Sequence, residues 1–342
     1  MAHLFLPLVK HQSPIPTPSL QDRFGRRIDY VRVSVTDRCD LRCSYCRPKD
    51  FDGYAEPANW LSFAEISRVV AAFARLGVGR IRLTGGEPLL RRNLVDLVSD
   101  IALLPGVHDL SLSTNATQLT RHAHALKEAG LARINISLDS LDRDCITRVY
   151  GRDSLGVILA GIMAAKEAGI TPIKLNMVAM QGVNDHEIER MAAFCIEHGF
   201  ILRLIEAMPV GEAGRQTHFL PLDPVRQQLI SRFDLMPCAS ELGGGPARYW
   251  QTRDGRSQIG FITPITQHFC ATCNRVRLAV DGTLYLCLGQ NERFELRPLL
   301  RDGASDAELE GAIRSAIELK PHQHEFEQAP EHIVRFMSQT GG

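Results

Sequence analysis

From Tyr30 to about Glu206, short runs in which apolar and polar residues alternate are separated by stretches with helical spacing. In "YVRVSVT", Val31, Val33 and Val35 share one face while Tyr30, Arg32, Ser34 and Thr36 share the other. "RIRLT" sets Arg80, Arg82 and Thr84 opposite Ile81 and Leu83, and "DLSLSTN" sets Asp109, Ser111, Ser113 and Asn115 opposite Leu110 and Leu112. "RINISLD" groups Arg133, Asn135, Ser137 and Asp139, and "IKLNM" groups Lys174 with Asn176. Side chains alternate across a strand, so five successive strands each own a polar face. The helical stretches between them favour parallel crossovers over an antiparallel sheet with one face in water. Parallel strands covered on both faces read as unbroken apolar runs, and these do not. The pattern predicts an α/β fold: an open, incomplete (β/α)6-type TIM barrel whose interior holds a large polar ligand.

The first helix is expected to start at a capping box of Ser62 and Glu65, to bury Ile66, Val69, Val70 and Phe73, and to stop at Gly77. A second box, Asn184 with Glu187, is expected to open a helix burying Ile188, Met191, Ala192 and Cys195 and ending at Gly199. Cys195 and Cys145 lie in apolar stripes and read as small core residues, and Cys238 has no partner spacing. After Pro209 the chain turns glycine- and proline-rich, with short strands near Tyr249 to Ile262, as for an extension that closes one end of the barrel. The division expected is a loose, proline-rich leader (1–21), a partial barrel (22–209) and a C-terminal region (210–342).

A chain of 342 residues can bury a core without a disulfide or metal staple, so metal ligands here would point to chemistry. Lys plus Arg and Asp plus Glu balance at 39 each, which argues against a protein that coats nucleic acid or membrane by overall charge. An anionic ligand must then meet a local basic cluster. No run of about 18 apolar residues or secretory signal is evident, which suggests a soluble cytoplasmic protein. Its nine cysteines, an odd number, are expected to be free, catalytic or metal-bound.

Cys39, Cys43 and Cys46 fall within eight residues, in "CDLRCSYC" at the end of the first strand, the edge where βα-barrel sites are built. Three thiolates suit an iron-sulfur cluster with one iron left open. A zinc site would need a fourth ligand that is not nearby in sequence. Cys270, Cys273 and Cys287 form a second triad, for which His268 could complete a zinc tetrahedron; two triads favour two clusters, each with a vacancy.

The C-x3-C-x2-C spacing with Tyr45 before the last cysteine, followed by "LTGGEPLLRR", resembles the radical S-adenosylmethionine (SAM) superfamily. With "CNRVRLAVDG", "LRLIEAMPVG" and the terminal Gly-Gly, the chain from about Asp22 to Gly342 resembles the GTP 3′,8-cyclase family of molybdenum cofactor biosynthesis. That resemblance implies a lyase with two [4Fe-4S] clusters, on Cys39, Cys43 and Cys46 and on Cys270, Cys273 and Cys287, the second in the C-terminal extension. A SAM-derived 5′-deoxyadenosyl radical would abstract H3′ of GTP, and C3′ would attack guanine C8 to give 3′,8-cyclo-7,8-dihydro-GTP. SAM would meet Tyr45, Gly86, Ser137 and Met208. GTP would meet Arg32, Arg82, Ser113, Lys174, Arg203, Arg275 and Arg277, with its guanine on the open iron of the second cluster. The tail residues Gly341 and Gly342 would reach into the site as catalytic residues.

The resemblance also implies a reduced flavodoxin or ferredoxin-type electron donor, hand-off of product to cyclic pyranopterin monophosphate synthase, a monomer or homodimer, and no nucleic-acid or membrane partner. A radical-SAM peptide maturase and a zinc-stabilised binding module are the alternatives. The chain departs from the family pattern at Arg47, where methionine is common, at Ser113, where threonine is usual, and at Ala116, where glycine usually follows "TN". Independently of the resemblance, Arg32, Arg82 and Lys174 all fall on the polar strand faces. A triphosphate of roughly four negative charges suits charge-assisted contacts there.

Overall fold

The computed structural model describes residues 19–48, 50–239 and 244–341. The leader expected over residues 1–21 falls mostly outside them, as does Gly342. The first half alternates strand and helix: β1 (Tyr30–Ser34), α1 (Phe63–Arg75), β2 (Arg80–Thr84), α2 (Leu94–Ala102), β3 (Asp109–Thr114), α3 (Leu119–Glu128) and β4 (Arg133–Ser137). Two helices, α4 (Arg143–Tyr150) and α5 (Leu155–Glu167), precede β5 (Ile173–Ala179), and α6 (Ile188–His198) precedes β6 (Ile201–Glu206). β1 to β6 pair in parallel, in chain order.

The helices form where their sequence signals lie. The Ser62–Glu65 capping box closes on α1, which buries Ile66, Val69, Val70 and Phe73, and the chain leaves the helix through Gly77 at φ 88°. The second expected box does not form. Asp185–Glu187 make a single 3₁₀ turn ahead of α6, because both candidate cap side chains are used elsewhere. The Asn184 amide donates to the Asp139 and Val178 carbonyls, and a Glu187 carboxylate oxygen accepts from Ser140 Oγ and Leu141 N. Tertiary hydrogen bonds beyond β4 and β5 outcompete the local cap. The helix still ends at Gly199 with Met191, Ala192 and Cys195 buried, and Cys145 is buried in α4, as their spacing predicts.

The C-terminal half does more than close one end. It contributes α7 (Gly211–Arg215), α8 (Leu222–Phe233), β7 (Leu235–Cys238), β8 (Arg248–Thr252), β9 (Gln258–Ile262), β10 (Arg275–Leu278), β11 (Thr283–Tyr285) and β12 (Arg293–Glu295). It ends with α9 (Arg297–Arg301), α10 (Asp306–Glu318) and α11 (Met337–Thr340). β10 pairs parallel with β1, and β9 pairs parallel with β6, so this half extends both edges of the six-stranded sheet. β12 and β7 are the outermost strands of a sheet that stays open. The apolar strand faces pack outward against the helices in one core that includes Val31, Val33, Ile81, Leu83, Leu112, Ile134, Ile136 and Leu175.

Candidate functional site

The register of the strands places the polar residues in rows across the inner face. Arg277, Arg32, Arg82, Ser111 and Arg133 are successive lateral neighbours from β10 to β4, and Ser137, Asn176 and Arg203 are neighbours from β4 to β6. The interior is buried: Arg32, Arg82, Arg203 and Arg277 are each 8% exposed or less. Two polar-face arginines are neutralised structurally, Arg133 by a two-bond pair with Asp109 and Arg80 by Asp29. Arg32, Arg82, Arg203, Arg275 and Arg277 have no carboxylate partner within ion-pair distance among the described residues.

Two contiguous chambers open along this face. The first lies at the C-terminal strand ends and is lined by Cys39, Cys43 and Cys46, together with Tyr45, Gly86, Ser113, Ser137 and Met208. A Cβ on Gly86 would stand 2.2 Å from the Arg38 carbonyl oxygen, so only glycine lets this loop pack so closely on the cysteine loop. The Tyr45 hydroxyl donates to Asp139 at 2.7 Å. Burial raises Asp139 to about 6 and outweighs that hydrogen bond. Glu87, raised to about 7 by burial, accepts from Thr114 Oγ1, Asn115 N and Leu89 N and so fixes the turn after β3. In that turn Ala116 adopts φ 64°, the backbone region that glycine enters without cost.

The second chamber is lined by Cys270, Cys273 and Cys287 together with Tyr30, Arg32, Arg82, Arg203, Arg275 and Arg277. Asn176, Ile205 and Met208 line both chambers. Two of the residues expected to meet the same ligand as the arginines do not line the second chamber. Ser113 lines the first chamber, and Lys174, fully buried in β5, lines neither. Lys174 is brought down to about 6 by burial and by the neighbouring Arg203, Arg133 and Arg82 charges.

Cations unmarked by any sequence motif hold the second cysteine loop. Arg26 donates to the Cys270 carbonyl, Lys320 to those of Arg275 and Leu286, and Arg335 to those of Cys287 and Leu288. No local motif marks them, since their partners are backbone carbonyls distant in sequence. Arg335 also starts the tail: Gly341 is buried, and its carbonyl accepts from Arg277 at 3.3 Å.

Both cysteine sets suit iron-sulfur clusters. Burial raises the Cys39 and Cys46 thiols to about 12 and about 11, so without metal they stay protonated. Cys273 differs: burial raises it, but the Lys320, Arg275 and Arg26 charges together bring it down to about 7. Among the described residues no three His, Cys, Asp or Glu side chains converge on a single metal ion. Thiolates that bind separate irons of one cluster stand farther apart than the ligands of one zinc.

The Radical SAM superfamily matches residues 33–195, and Molybdenum Cofactor Synthesis C matches residues 200–326. Among solved structures, Streptococcus suis SuiB bound to its precursor peptide SuiA superposes with a TM-score of 0.62 at 16% identity, over 93% of this chain and 77% of that one. That likeness is one of fold. Fold and first site together define a radical-SAM protein that carries a C-terminal region of the molybdenum-cofactor type. The GTP 3′,8-cyclase of Erythrobacter litoralis is 46% identical over 330 residues, covering 94% of this chain and 98% of that protein. The GTP 3′,8-cyclase of Paracoccus denitrificans is 43% identical over 350 residues, covering 100% of this chain and 99% of that protein. The chain belongs to the GTP 3′,8-cyclase family.

Proposed function

We infer that this chain is a GTP 3′,8-cyclase, converting GTP to 3′,8-cyclo-7,8-dihydro-GTP in the first step of molybdenum cofactor biosynthesis. The observation that carries the reading is a set of five guanidiniums without carboxylate partners among the described residues, four buried and that of Arg275 half-buried, next to a second cysteine triad and continuous with the first. Burying an uncompensated guanidinium costs several kcal/mol, and an arriving triphosphate offsets that cost with contacts worth about 1.5–3 kcal/mol each.

When bound at Cys39, Cys43 and Cys46, the reduced cluster supplies the electron that cleaves SAM to the hydrogen-abstracting radical. The protein's own part is placement. Tyr45, Gly86, Ser137 and Met208 would seat SAM in the first chamber. Arg32, Arg82, Arg203, Arg275 and Arg277 would hold the triphosphate and ribose in the second, with the guanine at Cys270, Cys273 and Cys287. Ser113 would contact GTP from the first-chamber side, and Lys174 would contribute charge from the sheet wall. Asn176, Ile205 and Met208 line the passage between the chambers, where C3′ must come close to the 5′ carbon of SAM. The tail glycines Gly341 and Gly342 would complete this junction, since the Gly341 carbonyl already engages Arg277.

The three-part division of the chain, a cytoplasmic location, a flavodoxin or ferredoxin-type donor and transfer of product to cyclic pyranopterin monophosphate synthase belong to the same proposal. No helix among the described residues is long and apolar enough to cross a membrane. Anaerobic incubation of the reconstituted protein with GTP, SAM and a reductant should yield a product isomeric with GTP, together with 5′-deoxyadenosine. SAM cleavage only in the presence of a peptide, with GTP unchanged, would favour the maturase reading instead.

A further inference from the structure

Arg47 stands at the position after the third cysteine, and its side chain is 95% enclosed, with 5% exposure. It lines the first chamber with the cysteines. One terminal nitrogen, Nη2, donates to the Leu41 carbonyl at 3.0 Å and to the Cys39 carbonyl at 3.3 Å, which ties the guanidinium to the cysteine loop itself. The guanidinium carbon lies 5.3 Å from the centre of the Tyr54 ring. The other terminal nitrogen, Nη1, is buried and has no hydrogen-bond partner among the described residues. The loop therefore carries a charged donor that is anchored on one side and unsatisfied on the other.

A buried charged donor without a partner is costly, and a site-lining one is relieved when an anionic acceptor enters. Of the two ends of SAM, the sulfonium and adenine carry no anion, whereas the methionine end carries a carboxylate. From these features we propose that Arg47 is a SAM-binding residue that donates from Nη1 to the carboxylate of the cofactor. It acts beside, and not in place of, the open iron. This rests on the radical-SAM reading and adds a contact for which the methionine common in the family has no equivalent donor.

The test is a binding cycle on the anaerobically reconstituted holoenzyme. Dissociation constants for SAM and for decarboxylated SAM are measured by equilibrium dialysis for the native chain, Arg47→Met and Arg47→Lys, after iron and sulfide content are shown to match. The expected result is about a ten- to hundredfold loss of SAM affinity in Arg47→Met. Decarboxylated SAM should bind the native chain and Arg47→Met equally, and Arg47→Lys should recover part of the loss. Equal loss for both ligands, or no loss for either, overturns the proposal, as does a change confined to the midpoint potential of the cluster. Failure of the native holoenzyme to bind SAM at all would instead overturn the functional reading together with this one.

Discussion

At the residue scale, the proposed role of the interior arginines implies a trade of stability for binding. Arg32 is the clearest case. Burial, then Arg277 and Arg82, push its guanidinium well below its ordinary range, and its Nε and Nη2 have no hydrogen-bond partner among the described residues. Replacing such a charge with an apolar side chain of similar length removes the desolvation cost. Arg32→Met should raise the stability of the ligand-free chain by about 1–4 kcal/mol in urea unfolding while abolishing measurable GTP binding. Lys174 allows a test by proton linkage. Its pKa falls from 10.5 unfolded to about 6 folded, so between those values the unfolded chain binds a proton that the folded chain lacks. Its contribution to stability is therefore full above 10.5 and is lost as pH falls toward 6. A triphosphate nearby restores the charged form, so GTP binding at pH 7.5 should take up close to one proton, and Lys174→Met should take up none. Titration calorimetry in buffers of different ionisation enthalpy measures that uptake.

At the scale of elements, the last turn of the chain acts as a strap. Arg335 binds the Cys287 loop, Phe336 packs edge-on against Phe51 at 4.7 Å, and Met337 and Ser338 line the first chamber. The strap thus spans both cysteine loops. Gly341 sits at φ 72°, and a Cβ there would stand 2.2 Å from Thr84 Cγ2, so any side chain displaces the tail. Gly341→Ala should leave the melting temperature within a few degrees and iron content unchanged, yet expose the tail to carboxypeptidase and cut cyclisation by at least about tenfold. Full product yield from a chain lacking Gly341 and Gly342 would show the tail to be dispensable.

At the scale of the whole molecule, the proposed function gives the two cysteine triads separate roles in one interior, and separating them is the decisive experiment. Cys43→Ala should abolish 5′-deoxyadenosine formation and retain about half of the iron. Cys273→Ala should retain some SAM cleavage uncoupled from product and lose GTP affinity. Iron analysis, 5′-deoxyadenosine yield and GTP dialysis on both variants distinguish these outcomes from general unfolding.

The period of the strands, the capping box of α1, the burial of Cys145 and Cys195, and the first triad were legible along the chain, because each depends on neighbours a few residues apart; the second triad was legible from its spacing, although Cys287 lies well beyond Cys273. The sequence also placed Arg32 and Arg82 on inner faces, since alternation along a strand is a local property. Which charges on those faces are spent follows from the folded arrangement alone. Arg80 and Arg133 meet Asp29 and Asp109, whereas Arg32 and Arg277 meet each other across β1 and β10, strands more than 240 residues apart. The same holds for Asn184 and Glu187, whose local cap gave way to partners near β4 and β5, for the cations on the second cysteine loop, and for the donor left unsatisfied on Arg47. Pattern along the chain records which residues must face inward. Which of them find partners there depends on strand register and on contacts between segments far apart in sequence.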